Sequence, residues 1–149
     1  IKAIEKKYGP FDAAVGHSFG GMSLINAVAG GFKVNKLVTL GADNSIPEIF
    51  DYFVAKMELK PDIGRRLQRL FEKKHNLRLD HFTSEHQAKR IKIPVLVIHD
   101  SEDRFVPVSS AVSIRQKLQN GELLITHGLG HHKIFKSPDV VQRVIEFLQ

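Results

Sequence analysis

The sequence has no cysteine among its 149 residues, so disulfides, thiolate metal sites and a cysteine nucleophile are all excluded. That absence fits a reducing cytoplasm, which is the expected location. Aromatic residues are scarce at 8%, and no recognised nucleic-acid motif accompanies the net charge of +6, so no nucleic-acid partner is expected. No stretch approaches the roughly 18 consecutive apolar residues of a membrane span. The opening Ile1-Lys2-Ala3-Ile4-Glu5-Lys6-Lys7 lacks the apolar core of a signal peptide, and no membrane association is expected. What is there is a chain with 42% hydrophobic residues, long enough for one domain with a sizeable core.

The chain is organised around Gly16-His17-Ser18-Phe19-Gly20. Before it, Phe11-Asp12-Ala13-Ala14-Val15 predicts a short buried strand. After it, Gly21 to Ala29 predicts a helix closed by Gly30-Gly31. A strand that turns sharply into a helix at G-x-S-x-G presents its serine hydroxyl above a sheet edge. Such a turn strains the serine backbone, and Gly16 and Gly20 are expected to supply the lack of bulk it needs on either side. Ser18 is therefore a candidate nucleophile. The Phe19 N–H, at the start of the helix, is a candidate donor to developing negative charge. His17 is expected to be packed or hydrogen-bonded, with its ring pointing away from the side that Ser18 faces.

Strand and helix signals alternate along the rest of the chain. Residues 1 to 8 end an amphipathic helix, with Ile1 and Ile4 on one face, and Gly9-Pro10 stops it. Further apolar strands are predicted at Lys36 to Ala42, Pro94 to His99 and Glu122 to Thr126. Helices are predicted from Val108 to Leu118 and from Val140 to Leu148, the latter preceded by Ser137 as N-cap and Pro138 at the first helical position. Near-continuous apolar strands separated by helices imply an α/β fold with a parallel sheet covered on both faces. Residues 43 to 90 interrupt this alternation with helical patterns and no strand, so 1–42 and 91–149 form the expected core and 43–90 a helical insert. Residues 51 to 90 carry ten Lys/Arg against six Asp/Glu, which reads first as solvated helix faces and alternatively as a basic rim for anionic substrates.

A nucleophilic serine needs a base, and the base needs a carboxylate to orient it. His99-Asp100-Ser101-Glu102-Asp103 follows one predicted strand, and Thr126-His127-Gly128-Leu129-Gly130-His131-His132 follows the next. Both are loops at carboxyl ends of strands, where sites form in open α/β sheets. Asp100, Asp103 and, after an earlier strand, Asp43 are candidate acids, while His127, His131 and His132 are candidate bases. His127 and His131 lie in a loop rather than on a helix, so no metal site is expected.

The chain resembles the C-terminal half of an α/β-hydrolase with a helical cap. The elbow pattern is met by Gly16 to Gly21, the acid loop H-G-x-x-D-x-x-V-P by residues 99 to 107, and the histidine loop G-x-G-H by Gly128 to His131. The resemblance implies a Ser18–His131–Asp103 triad, taken in the family's chain order, and the Phe19 N–H as an oxyanion donor. Asp100 departs from the pattern by standing where the family has glycine. Nothing in the chain corresponds to the family's early strands or to the loop that supplies a second oxyanion N–H, so the chain reads as one portion of a longer protein. The implied activity is hydrolysis of an ester or related acyl bond in a small, apolar substrate, with no metal or organic cofactor. Acyl transfer from a carrier, thioester cleavage, or a non-catalytic binding module on the same fold are the alternatives. Met22, Phe50 and Phe53 are the expected substrate-lining residues.

Overall fold

The computed structural model describes residues 1–149. The chain divides into two compact units, one formed by Ile1–Asn44 with Ser84–Gln149, the other by Ser45–Thr83.

The first unit is built on four strands, β1 (Ala13–His17), β2 (Lys36–Leu40), β3 (Val95–Asp100) and β4 (Gly121–Thr126). They lie in the order β1-β2-β3-β4, and every pairing is parallel. Because the strands run the same way, all the strand-to-helix loops emerge at one edge of the sheet. Helix α1 (Lys2–Tyr8) precedes β1, α2 (Phe19–Ala29) links β1 to β2, and α6 (Val108–Lys117) links β3 to β4.

The two central strands are buried on both faces, which is why they read as continuous apolar runs rather than alternations. Their side chains alternate between two cores. Leu37, Val95 and Val97 point to one side, with Ile25 of α2 and Ala111 and Ile114 of α6. Val38, Leu40, Leu96 and Ile98 point to the other, with Ile134, Val140 and Phe147. Val140 and Phe147 come from the terminal helix α8 (Pro138–Leu148). Each fully buried Ile or Leu here is worth roughly 1.5–3 kcal/mol of burial. At the edges the pattern weakens, and Val15 of β1 is 49% exposed.

Helix α5 (Ser84–Ala88) belongs to this first unit, so the insert is shorter than residues 43 to 90. Ala88 is part of the core beneath α2 and α6, and the Asn44 side chain caps α5 by accepting from the Glu85 N–H at 2.9 Å. The Ser84 N–H donates to the Asn44 carbonyl and its hydroxyl to that of Asp43, so the chain leaves and rejoins the sheet unit at one point.

The second unit holds α3 (Ile46–Lys56) and α4 (Pro61–His75), followed by a single 3-10 turn, Leu79–Phe82. Gly64 lets the two helices approach, since a methyl there would stand 3.0 Å from Val54. Asn76 ends α4 in a left-handed conformation, as a helix C-terminus often requires. No helix of the chain is long and apolar enough to cross a membrane.

Ser137 precedes α8 as expected, but its side chain makes no capping hydrogen bond. A short helix, α7 (Gly130–Lys133), carries the histidine loop into a 3-10 turn, Ile134–Lys136, where the sequence pattern indicated only loop.

Candidate active site

Ser18 sits between β1 and α2 with φ 56° and ψ −130°, a conformation that L-residues rarely adopt. The Ser18 N–H is held by the Leu40 carbonyl of β2 at 2.9 Å, and its own carbonyl accepts from Gly21 and Met22 at the start of α2. The tight turn brings backbones together at Gly16, where a Cβ would lie 2.8 Å from Gly20 and Gly21 atoms. Gly21 is equally confined, with Ala42 only 2.8 Å from where its Cβ would be. Gly20, expected to share that steric role, instead faces open space. The close approach is made by the residue three positions after the serine, not two.

The His131 ring stands over this turn. Its Nε2 lies 2.9 Å from the Ser18 hydroxyl oxygen and its Nδ1 lies 2.6 Å from Oδ2 of Asp103. An ionised carboxylate only accepts, so Nδ1 carries the proton and Nε2 is left to accept from the serine hydroxyl. The Asp103 side chain is completely buried. Burial alone would raise its pKa, but N–H donation from Val106, the bond from His131 and N–H donation from Phe105 outweigh this and hold it below the ordinary carboxylate value. Phe105 and Val106 donate to Oδ1 at 2.8 and 3.0 Å, leaving Oδ2 for the imidazole. The buried His99 donates from Nε2 to the Val106 carbonyl at 2.9 Å and reaches within 3.5 Å of the same Oδ2.

The rival acids and bases occupy other places. The buried Asp100 accepts from the loops rather than from His131. Asp43 receives the Ser84 hydroxyl on its backbone carbonyl at 2.6 Å. His127 shares a 2.7 Å hydrogen bond with Ser101, and His132 is exposed, edge-on to Phe105. His17 does not turn away from the cluster. Its Nε2–H donates to the His131 carbonyl at 2.8 Å, and its ring lies 4.7 Å from the His131 ring. Burial, the largest influence, lowers its pKa.

The Phe19 N–H is the first amide of α2, which no intrahelical carbonyl can satisfy, and it stands beside Ser18. Met22 is buried, only 1% exposed. Within the second unit, Phe50 meets Phe71 edge-on, and Phe53 is 46% exposed. No group of three or more His, Asp or Glu side chains is arranged to hold a metal ion.

One residue at the site is invisible to motif reading. Gly41, at the end of β2, has φ +54°, and a Cβ there would lie 3.3 Å from His131 Nδ1 and 3.4 Å from Asp103 Oδ2. The apolar strand followed by glycine was the only available signal, and it does not point to the imidazole.

The family model described as TAP-like protein matches residues 78–149. No curated protein sequence is significantly similar to the chain. Among solved structures, the chain is similar to a monoacylglycerol lipase of Paleococcus ferrophilus, with 18% identity, a TM-score of 0.67, and coverage of 99% of this chain and 71% of that one. It is also similar to an α/β hydrolase enzyme, MGS-MChE2, from the metagenome of Mar Chica lagoon sediments, with 16% identity, a TM-score of 0.67, and coverage of 98% and 64%. An esterase domain of a Rhodothermus marinus protein gives 18% identity, a TM-score of 0.65, and coverage of 99% and 62%. The chain spans less than two thirds of the length of the last two. The four parallel strands, the strained turn after β1 and these likenesses identify the fold of this chain as that of the α/β-hydrolases.

Proposed function

We propose that the chain carries the catalytic apparatus of a serine hydrolase acting on an ester or related acyl bond. The observation that carries this reading is the His131 ring, with Nε2 at 2.9 Å from the Ser18 hydroxyl and Nδ1 at 2.6 Å from Asp103. In the proposed reaction His131 takes the Ser18 proton as the serine oxygen adds to the substrate carbonyl. Asp103 keeps the imidazole in the tautomer that can accept this proton and stabilises the imidazolium that results. The Phe19 N–H donates to the oxyanion. His131 then returns the proton to the leaving alcohol oxygen, and the acyl group remains on Ser18. Water, deprotonated by the same nitrogen, adds to the acyl carbonyl, and collapse releases the acid and restores the serine hydroxyl.

The proposed substrates are small esters with an apolar acyl group. The likeness to an esterase domain and a monoacylglycerol lipase favours esters among acyl compounds. Labelling of the intact protein by a fluorophosphonate probe tests the reading, together with hydrolysis of short p-nitrophenyl esters without an added acyl acceptor. Labelling that disappears in Ser18→Ala is the expected result. A folded protein that takes no label would overturn the reading.

A further inference from the structure

The buried Asp100 takes no part in the proposed chemistry, yet its carboxylate is among the most heavily hydrogen-bonded groups in the molecule. It is 0% exposed. Oδ1 accepts from the Glu102 N–H at 3.0 Å, and Oδ2 accepts from the Thr126 hydroxyl at 2.8 Å and the Leu129 N–H at 3.0 Å. The Gly130 N–H lies close enough to favour the charged carboxylate. The Asp100 carbonyl also accepts from the Asp103 N–H at 3.2 Å. These partners have a pattern. Glu102 immediately precedes the acid Asp103, and Leu129 lies two residues before His131.

We infer that Asp100 is a positioning residue, a latch that ties the loop bearing His131 to the loop bearing Asp103 and so sets the imidazole between Ser18 and its carboxylate. The inference rests on the hydrolase reading for what the positioning serves, but the contacts stand without it. β3 and β4 pair Asp100 with Thr126, so the latch sits at the last rung of the sheet, where two loops diverge. From there Asp100 gathers donors 26 and 29 residues away. Burial would raise the carboxyl pKa, but the nearby Gly130 N–H and the donors Thr126, Leu129 and Glu102 outweigh it and hold it below the ordinary carboxylate value. An ionised carboxylate can accept from four donors at once. Glycine at this position would leave the Glu102 and Leu129 N–H groups and the Thr126 hydroxyl without that acceptor. An amide would turn its own NH2 toward some of them. Both changes release the loop next to His131, and a displacement of about 1 Å at a catalytic group costs about 100-fold in rate.

The test compares Asp100→Asn, Asp100→Gly and Thr126→Val with wild type in the intact protein. The expected result is a kcat lower by about 10- to 100-fold in the Asp100 variants at nearly unchanged KM, a smaller loss in Thr126→Val, and recovery toward wild type in Thr126→Ser. Thr126→Val keeps the carboxylate and serves if the Asp100 variants do not fold. Ile114→Val, in the core away from both loops, lowers the melting temperature while kcat holds, which separates stability from positioning. The low-field proton resonance of His131 Nδ1–H, hydrogen-bonded to Asp103, supplies a readout independent of turnover. It is displaced or lost in Asp100→Asn and unchanged in Ile114→Val. Wild-type kcat in the folded Asp100 variants overturns the inference, and so does an unmoved His131 resonance. A wild-type protein that takes no fluorophosphonate label sinks the hydrolase reading instead, and the resonance then decides the latch alone.

Discussion

Replacing Gly41 by alanine probes how closely the His131–Asp103 pair is boxed in. Two separate penalties follow from its position. The residue has φ +54°, where a Cβ costs about 1–2 kcal/mol. For a chain of this size that lowers the melting temperature by roughly 2–8 °C. The added methyl would also stand 3.3 Å from His131 Nδ1 and 3.4 Å from Asp103 Oδ2, two atoms joined by a 2.6 Å hydrogen bond. Carbon contacts relax at about 3.5–4.0 Å, so the pair must give way by a few tenths of an ångström. A hydrogen bond to a charged partner is worth about 1.5–3 kcal/mol, and losing most of it when the imidazolium forms lowers kcat by about 10- to 100-fold. Gly31→Ala is the matched control. Gly31 has φ +95° with nothing within 4 Å of its Cβ position, so it carries the strain without the contact. Ester hydrolysis and thermal melting of both variants separate the penalties. Gly41→Ala is expected to lose stability and turnover, Gly31→Ala stability alone. Full turnover in Gly41→Ala, or an equal loss in Gly31→Ala, would refute the reasoning.

The elbow makes two further tests. Gly16→Ala brings its methyl to 2.8 Å from three backbone atoms and is expected to abolish folding, whereas Gly20→Ala meets nothing within 4 Å and gains about 1 kcal/mol of helix propensity, seen as a raised melting temperature. Ser18→Gly removes the strain at φ 56°, ψ −130° and is expected to melt at a higher temperature than Ser18→Ala, both being inactive; equal melting points would remove strain from the account of this turn. Stability should fall with acid in two stages. His17 has a folded pKa held below its ordinary 6.5 by burial, so the unfolded chain binds the proton first, and stability is lost as pH falls through 6.5 toward the lowered value. His17→Gln removes that first stage in a denaturation series across pH 8 to 5. Asp100 and Asp103, both held below the ordinary 3.8, contribute stability that is present above that value and lost as pH falls below it, and Asp103→Asn reduces that second loss.

The sheet was legible because β2 and β3 are buried on both faces, which fills them with apolar side chains at most positions and writes them as near-continuous apolar runs, with Thr39, His99 and Asp100 as the buried exceptions. The limits of the helical insert were less legible. The pattern of residues 84 to 89 is helical and polar enough to join its neighbours, and only the fold reveals that Ala88 is fully buried beneath α2 and α6. That placement depends on Asn44 and Asp43 receiving Ser84 and Glu85 across some forty residues, and no local periodicity records such a contact. The short α7 was hidden for a related reason. Glycines at 128 and 130 read as loop, and both do adopt positive φ, but the second leads into a helical turn.

The residues of the candidate site divide along the same line. Ser18, Asp103 and His131 stand in motifs because each needs a particular backbone around it: a strained elbow, an N–H-lined acid loop, a glycine-rich approach to the imidazole. Local demands leave local sequence patterns. Gly41 and Asp100 answer to demands set by distant partners, namely the gap beside the His131–Asp103 bond and the donors of a loop on the next strand. A glycine after a strand and an acid after a histidine are common, so neither residue type marks its own role. The one signal for Asp100 lies in its departure from the resembled acid-loop pattern, where an acid stands in place of glycine and must find donors. A buried carboxylate without them would be costly, so its presence in the acid loop implies a donor-rich neighbour close by. The loop beginning at Thr126 is that neighbour, and it ends at the imidazole.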